Sequence, residues 1–281
     1  MIGIIGGTGL YKIDGIQNVT SKKVETPFGE PSAEITMGEV SGQRVAFLPR
    51  HGAGHQILPS EINFRANIWA LKSVGVRRII SVSAVGSLKE EIRPGDLAIP
   101  SQYLDWTRGK RAGSFFGAGI VAHVSTAYPT CPVLTQRIAS QAEVLGTSVH
   151  SGKTYGCVEG PRLGTRAESL FLQQSGCDFV GMTNVPEVFL AREAQLCYCT
   201  IAVATDYDCW LDDPNQHASV EKVIELYQKN IGRVQELIKG LVSVIEIPST
   251  CECRSSLKYA VLTKEEVMSE EQRRTLAFLR E

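Results

Sequence analysis

Short apolar runs alternate along this chain with longer segments whose apolar residues recur every three or four positions. The short runs, which predict buried strands, occupy residues 2–5, 45–48, 78–83, 95–99, 154–158, 179–182 and 197–204. The longer segments, which predict helices, occupy residues 60–74, 132–145, 165–175, 187–196 and a stretch that begins at Ser219. Strands that are apolar on both faces and alternate with helices predict an α/β fold with a central, mostly parallel or mixed sheet flanked by helices.

Several predicted helices have capping residues at their ends. Ser60 is a suitable N-cap for the first helix, and Gly75 is a suitable residue to end it. Thr165-Arg-Ala-Glu168 has the pattern of a capping box, and Thr263-Lys-Glu-Glu266 repeats that pattern before a charged terminal segment. The second box predicts a terminal helix that begins near Thr263.

The regions between these elements predict the domain organisation. Residues 101–128 have little periodicity and predict a long loop, and the polar stretch 210–218 is a candidate lid. The sequence contains no internal repeat and no low-complexity linker. We therefore predict a single domain over residues 1–262 and an appended C-terminal helix over residues 263–281.

The composition excludes several classes of protein. The chain has 281 residues, 43% of them apolar, so it can bury a large core, and its net charge of −1 gives no nucleic-acid footprint. The N-terminus lacks the basic and long apolar regions of a signal peptide, and no apolar run reaches membrane-spanning length. These features predict a cytoplasmic protein without a nucleic-acid or membrane partner.

Two acidic residues follow the most apolar predicted strand. Asp206 and Asp208 come directly after residues 197–204, and in extended geometry both carboxylates would point the same way. Ligands of open α/β sheets bind beyond the carboxyl ends of strands. This stretch alone leaves three interpretations: a turn, a divalent-cation site and a site for an organic ligand.

Other strand ends carry groups that suit an anion. Gly6-Gly-Thr-Gly9 follows the first strand and could offer backbone amides and the Thr8 hydroxyl, although a tight turn would use the same glycines. The dinucleotide fingerprint fails because Lys12 stands where its third glycine should be, and the Walker A pattern fails too.

Three further segments extend this pattern. Arg50 and His51 follow the second strand, with His55 on the same loop, and a guanidinium fork matches phosphate, although a surface arginine with a capping histidine is equally consistent. The small turn after Ser83 and the strand that leads to Thr183 could face the same anion.

The eight cysteines predict little chemistry. Most lie in apolar segments and are expected to be buried small hydrophobes. Cys251 and Cys253 lie in a polar segment, where they could be ordinary thiols, form a strained, reducible disulfide with each other, or bridge to cysteines elsewhere. Because no second cysteine pattern resembles a metal site, ordinary thiols are the preferred interpretation and no metal is expected.

A set of short motifs occurs in order along the chain and resembles a known family. The motifs are Gly6-Gly-Thr-Gly9, Pro49-Arg-His-Gly52, residues 66–71, Ser83-Ala-Val-Gly86, Glu159-Gly-Pro-Arg162, Met182-Thr183, Val185-Pro-Glu187 and residues 204–210. Each motif is weak alone, but the ordered set resembles the 5'-methylthioadenosine phosphorylases of the trimeric purine nucleoside phosphorylase family. The Cys251-Glu-Cys253 segment is most similar to the archaeal branch, whose members tend to be hexamers.

The resemblance implies a reaction and a set of site residues. Methylthioadenosine and inorganic phosphate would give adenine and methylthioribose 1-phosphate, with no cofactor and in a homo-oligomer, a trimer or a hexamer. By motif, the phosphate would be bound by Thr8, Arg50, His51, Ser83, Ala84 and Thr183. Met182 would lie against the ribose, and Asp206 and Asp208 would face the purine.

The chemistry of the reaction agrees with that assignment. Cleavage of the glycosidic bond leaves negative charge on the base, so a proton donor at purine N7 assists it, and we assign this role to Asp206. A carboxylate is the natural acceptor for the N6 amino group of adenine, and we assign this role to Asp208. A metal is then unnecessary. Leu163 departs from the pattern, because many relatives place a stacking phenylalanine there.

The resemblance also places residues beside the 5' substituent. Val220, Val223 and Ile224 would form an apolar wall with His55 nearby, although the three aliphatic residues could instead pack their helix on the sheet. A phosphorylase for 6-oxopurine nucleosides is the nearest alternative function. A nucleotide-binding oxidoreductase and a non-catalytic nucleoside sensor are alternatives from other classes.

Overall fold

The computed structural model describes residues 1–7, 10, 15–213, 217–245, 248 and 250–281. Its strands are β1 (Ile2–Gly6), β2 (Gln17–Lys22), β3 (Ile35–Val40), β4 (Gln43–Pro49), β5 (Arg78–Ser87), β6 (Leu97–Trp106), β7 (Val149–Val158), β8 (Phe179–Gly181) and β9 (Cys197–Asp206). Its α-helices are α1 (Phe64–Ser73), α2 (Pro132–Val144), α3 (Arg166–Gln174), α4 (Glu187–Glu193), α5 (Val220–Val244) and α6 (Glu270–Arg280). Within these described ranges, no helix combines the length and the apolar composition needed to cross a membrane.

The described strands join one mixed sheet flanked by helices, which confirms the predicted fold class. The strand order is β2-β3-β4-β1-β5-β8-β7-β6-β9, and β9 also pairs with β5. The last five strands of this order therefore close into a ring, and the first four extend from it. Strand β1 runs parallel to β4 and β5, whereas β3 runs antiparallel to β2 and β4.

The parallel strands β5 and β9 end side by side at one edge of the sheet. Arg78 lies opposite Cys197 at one end of the pair, and Gly86 lies opposite Asp206 at the other. All ten residues of β9 are buried, as predicted for a strand covered on both faces. Because β1, β5 and β9 run in the same direction, their carboxyl ends meet at one edge, where ligands of such sheets bind.

Two apolar clusters cover opposite faces of the sheet. Ile5 and Ile79 pack in one cluster with residues of α1 and α4. Ile4 and Ile80 pack in the other cluster with residues of α2 and α5. Neighbouring residues of a strand point to opposite faces, so β1 and β5 supply both clusters.

Helix α5 is amphipathic along only part of its length. The predicted apolar stripe is buried in its second half, at Val234, Leu237 and Ile238. In the first half, Val220 and Ile224 are exposed. The beginning of α5 therefore does not pack on the sheet in the way that its spacing alone suggested.

Two strands were missed, and among the longer-than-predicted strands β6 extends into a predicted loop. Every residue of β2 is exposed, and β3 is only half buried, so neither has an apolar run that predicts a strand. Strand β6 continues to Trp106, into the stretch predicted to be a loop, because it pairs with β7 along its whole length. Backbone pairing, rather than side-chain pattern, maintains these segments.

Two helices begin later than their predicted caps. Helix α1 begins after Asn63, whose side chain accepts a hydrogen bond from the Ala66 N–H, and not after Ser60. Helix α6 begins after Ser269, which forms a capping box with Gln272. The Thr263 hydroxyl instead accepts a hydrogen bond from the Val121 N–H at 2.8 Å, so it joins two loops and caps no helix.

Helix α6 packs against α1. The Phe278 ring lies on the Trp69 ring with centroids 4.0 Å apart, and Leu279 is buried in the cluster that contains α1. The Lys72 ammonium donates to the carbonyl oxygens of Ala194 and Leu279 at 2.8 and 3.1 Å. The division into residues 1–262 and an appended helix over 263–281 stays a prediction, but α6 shares a core with the rest of the chain.

Candidate active site

A cavity of about 1290 Å³ opens at the carboxyl edge of β5 and β9. Its walls contain every predicted site residue that the structure describes: Arg50, His51, His55, Ser83, Ala84, Leu163, Met182, Thr183, Asp206, Asp208, Val220, Val223 and Ile224. Thr8, the remaining predicted phosphate ligand, lies outside the described residues. The cavity exceeds the roughly 300–1,000 Å³ of typical small-molecule sites, so it has room for two substrates together.

The two aspartates lie at the end of β9 with different backbone geometries. Asp206 is the last residue of the strand, whereas Asp208 has a φ of +50°, so the chain turns between them. The expectation that both carboxylates point the same way assumed an extended backbone as far as Asp208. The backbone is not extended there, so that assumption fails. The two side chains nevertheless line the same cavity, and both residues are buried.

The Asp206 carboxylate is fixed by its neighbours. Its Oδ2 accepts a hydrogen bond from the Thr205 hydroxyl at 2.7 Å, and its Oδ1 accepts one from the Asp208 N–H at 2.7 Å. A Cβ at Gly86 would lie 2.9 Å from Oδ1, so glycine is required beside this carboxylate. The orientation of the Asp206 carboxyl group is therefore set by its protein neighbours.

Burial favours the protonated form of both acids. Desolvation raises the pKa of Asp206, and the nearby charge of Asp208 adds to that shift. Desolvation likewise raises the pKa of Asp208. A carboxyl group that keeps its proton closer to neutral pH can act as a general acid, which an ordinary surface aspartate cannot.

Arg50 makes a buried ion pair with Glu187. Its Nε donates to Glu187 Oε2 at 2.7 Å, and its Nη2 donates to Oε1 at 2.9 Å. The remaining described contacts are Nη2 to the Ser81 hydroxyl and Nη1 to the Val82 carbonyl oxygen. Arg50 lines the cavity, but its ion pair with Glu187 compensates most of its charge.

Glu187 is the centre of a network that the sequence did not reveal. Its Oε1 also accepts hydrogen bonds from the hydroxyls of Ser81 and Tyr198 at 2.9 and 2.8 Å. The Asn184 amide donates to both of those hydroxyls. Glu187 occurs in one of the family motifs, but as the first residue of a helix it has the pattern of an ordinary first-turn acid.

His51 is neutral at pH 7. Burial lowers its pKa to about 4, and its Nδ1 lies 2.8 Å from the Ile57 carbonyl oxygen, to which a neutral ring donates a proton. Its ring stacks on that of His55 at 4.5 Å. The Nε2 atom is then an acceptor, so His51 can bind the protonated oxygen of a hydrogen phosphate but adds no positive charge.

Neutral hydroxyl groups cluster at the end of β5. Ser83 Oγ lies 3.3 Å from Thr183 Oγ1 and 3.4 Å from the Tyr155 hydroxyl. Tyr155 was not predicted, because it reads as a core residue of β7 and is in fact fully buried. A Cβ at Gly181 would lie 1.9 Å from the Tyr155 hydroxyl, so this tyrosine fits only beside a glycine.

Apolar side chains surround the entrance of the cavity. Val220 and Ile224, at the start of α5, are 64% and 51% exposed and line the cavity with the less exposed Val223. Leu163 is 41% exposed on the other wall. The alternative that Val220 and Ile224 merely pack α5 on the sheet is therefore wrong, because both side chains are more than half exposed.

Comparisons with known proteins give one consistent result. Residues 1–243 match the family model described as the phosphorylase superfamily. The S-methyl-5'-thioadenosine phosphorylase of Geobacter sulfurreducens is 49% identical over 94% of this chain and 92% of its own length. That of Hyperthermus butylicus is also 49% identical, over 93% of this chain and 95% of its own length.

Solved structures agree with these relatives. A methylthioadenosine phosphorylase sourced from an antarctic soil metagenomic library has a TM-score of 0.93 at 46% identity, and the match covers 99% of this chain and 98% of the other. The methylthioadenosine phosphorylase of Schistosoma mansoni in complex with adenine has a TM-score of 0.87 at 34% identity. That second match covers 95% of this chain and 99% of the other.

The buried ion pair of Arg50 with Glu187 predicts that Glu187 contributes more to the free energy of unfolding than a surface glutamate does. Glu187→Gln leaves the Arg50 charge buried without its counterion, so we expect the free energy of unfolding to fall by about 3–5 kcal/mol. Glu225→Gln is the matched control, because Glu225 pairs with Lys229 on the surface of α5, where such a pair contributes about 0.5 kcal/mol or less. Chemical denaturation of both variants measures the difference. Equally small losses would show that Arg50 does not depend on Glu187.

Proposed function

The chain belongs to the phosphorylase superfamily, and from this premise we propose that it catalyses the phosphorolysis of 5'-methylthioadenosine. The products are adenine and 5-methylthioribose 1-phosphate, and inorganic phosphate is a co-substrate with no further cofactor. The observation that carries the proposal is that one cavity is lined both by Arg50 with the hydroxyl groups of Ser83 and Thr183 and by the two buried acids. Relatives that are 44–49% identical and named for this activity support it.

Asp206 is the general acid of the proposed reaction. Departure of adenine leaves negative charge on the base, and a proton delivered to N7 removes that charge. The raised pKa of Asp206, which burial causes, keeps a proton available for that transfer. Its two hydrogen bonds fix the orientation of the carboxyl group, so little reorganisation is needed when the base departs.

Asp208 and Leu163 form the remainder of the base site. Asp208 accepts a hydrogen bond from the N6 amino group of adenine, which a 6-oxopurine lacks. Leu163 covers the base by apolar contact without the stacking that an aromatic ring would supply. Selection of adenine therefore depends on the acid pair more than on the walls.

Phosphate binds where the hydroxyl groups of Ser83 and Thr183 meet Arg50. The Ala84 amide contributes to this group, and His51 accepts the proton of hydrogen phosphate at Nε2. The family resemblance assigns a further phosphate contact to Thr8, which lies outside the described residues. The nucleoside sugar lies between the phosphate and the base, with Met182 against the ribose. A phosphate in this position stabilises the positive charge that develops on the sugar when the glycosidic bond breaks.

The exposed rim supports assembly into a homo-oligomer, a trimer or a hexamer. Val220 and Ile224 at the entrance, with Trp106 and Phe171 beyond it, leave apolar surface uncovered in the single chain. A neighbouring copy that covered this rim would also close the 5' end of the cavity. We propose a cytoplasmic location for the assembled enzyme.

The reaction is tested by the release of free base from a panel of nucleosides. With methylthioadenosine we expect adenine to appear only when phosphate is present, together with a stoichiometric sugar 1-phosphate. Chromatography identifies the base, and methylthioinosine and inosine serve as 6-oxopurine comparisons. Turnover that is unchanged without phosphate would identify a hydrolase, and faster turnover of the 6-oxopurines would reject adenine as the base.

The role of Asp206 predicts a loss in kcat. We expect Asp206→Asn to lower kcat by about 10²–10⁴-fold with a much smaller change in KM, since proton donation acts mainly in the transition state. In the unsubstituted enzyme, kcat should fall as the pH rises through the raised pKa of Asp206, and the variant should lack this limb. Asp212→Asn is the control, because Asp212 is exposed and pairs with Arg166 outside the cavity. An unchanged kcat for Asp206→Asn would reject the assignment.

The apolar rim predicts a preference at the 5' position. Burying the adenosine 5'-hydroxyl against Val220 and Ile224 without a partner costs roughly 1–3 kcal/mol, which corresponds to a preference of about ten- to a hundredfold for methylthioadenosine. Val220→His should reduce this ratio of kcat/KM values, because the imidazole can bond to the hydroxyl. Val244→His, at the other end of α5, is the control. A ratio that does not change in Val220→His would contradict the placement of this wall.

A further inference from the structure

Four cysteines from three distant segments converge at one buried point. Cys131 is the N-cap of α2, and Cys197 is the first residue of β9. Cys251 and Cys253 flank the start of a short 3₁₀ helix, Glu252–Ser255, that follows α5. The four sulfur atoms lie within 4.8 Å of one another, and all four residues are buried. We call these residues the cysteine cluster.

The spacing of the sulfur atoms matches that of ligands around one tetrahedral ion. Cys251 Sγ lies 3.7 Å from the Sγ atoms of both Cys131 and Cys197. A zinc–sulfur bond of about 2.3 Å in a regular tetrahedron separates neighbouring sulfurs by roughly 3.8 Å. A disulfide instead needs two sulfurs at about 2.05 Å, and it joins them only in pairs.

We propose that the cysteine cluster binds one zinc ion as a structural site. All four ligand positions are supplied by thiolates, which is the closed arrangement of structural zinc and leaves no position for water or substrate. A four-sulfur tetrahedron selects zinc over magnesium or calcium, which prefer oxygen ligands. The sequence alone predicted ordinary thiols, a Cys251–Cys253 disulfide or a bridge to a cysteine elsewhere, and it did not identify the partners. The other two ligands precede Cys251 by 120 and 54 positions in the sequence.

A backbone donor and apolar packing surround the cysteine cluster. The Leu134 N–H donates to Cys131 Sγ at 3.5 Å, as expected for a ligand at the N-terminus of a helix of 13 residues. Apolar residues of α2 and α5 enclose the cluster, so solvent does not compete for the ion.

The proposed ion would secure the segment after α5. It joins that segment to the beginning of β9 and to the first turn of α2. Asp206 lies at the other end of β9, which is ten residues long. At about 3.3 Å per residue, the ion would lie roughly 30 Å from the acid pair. The ion therefore acts on stability, and its loss should lower the melting temperature more than it changes kcat at moderate temperature.

Metal and thiol analysis of the full chain tests the proposal without an activity assay. The protein is purified without chelator, and zinc is measured by mass spectrometry of the elements. We expect about one zinc per chain. A mercurial reagent that reacts with the thiols should release this zinc, and a chromogenic chelator then measures it. Two outcomes would overturn the proposal: an intact mass lowered by two hydrogens per disulfide, or reduced thiols without stoichiometric metal.

A pair of serine variants assigns the ligands. Cys253→Ser should bind less than a tenth of the zinc of the unsubstituted chain and melt at a lower temperature. Cys177→Ser should keep the full equivalent, because Cys177 is equally buried but lies in a different apolar cluster. Equal zinc in both variants would overturn the assignment. If Cys253→Ser does not fold, the unsubstituted chain refolded with Co²⁺ replaces it, and the absence of tetrahedral cobalt–thiolate absorption bands would overturn the site.

Discussion

The parallel pairing of β5 with β9 is the constraint on which the site depends. It closes five strands into a ring and sets Gly86 opposite Asp206. A strand that is buried on both faces cannot shift its register by one residue without turning every side chain to the other face. The position of the Asp206 carboxyl group is therefore fixed by the hydrophobic core, over the full length of β9, before any substrate binds.

The same arrangement explains how charge is handled inside the molecule. Arg50 and Glu187 are both buried, and the bidentate pair with its surrounding hydroxyls compensates each charge where water is excluded. His51 is neutral, and the hydroxyl groups of Ser83 and Thr183 carry no charge. The proposed phosphate site would therefore rely on directed hydrogen bonds, with Arg50 contributing a partly neutralised charge, rather than on a concentration of positive charge.

Sequence reasoning recovered the elements that have their own apolar signal. The buried strand β9 and the capping box of α3 were predicted from their own patterns. The polar groups at strand ends were predicted because strand ends of one direction share one edge, whereas the ribose and 5' contacts came from the family resemblance. Strand β2 could not, because it is exposed throughout and is held by pairing alone. Glu187 and Tyr155 were missed for a related reason: each resembles a common structural residue, and only long-range packing brings it to the site. The cysteine cluster illustrates the same limit, because its four members are close in space and remote in sequence.

The buried acid at the end of β9 also couples proton binding to folding. Burial raises the pKa of Asp206 above its value in the unfolded chain, so the folded chain binds this proton more tightly. The stabilisation that the proton brings is complete below the unfolded pKa and is lost as the pH rises through the folded pKa. At neutral pH the buried acid that suits catalysis therefore works against the native state, and the apolar packing around β9 must compensate for it.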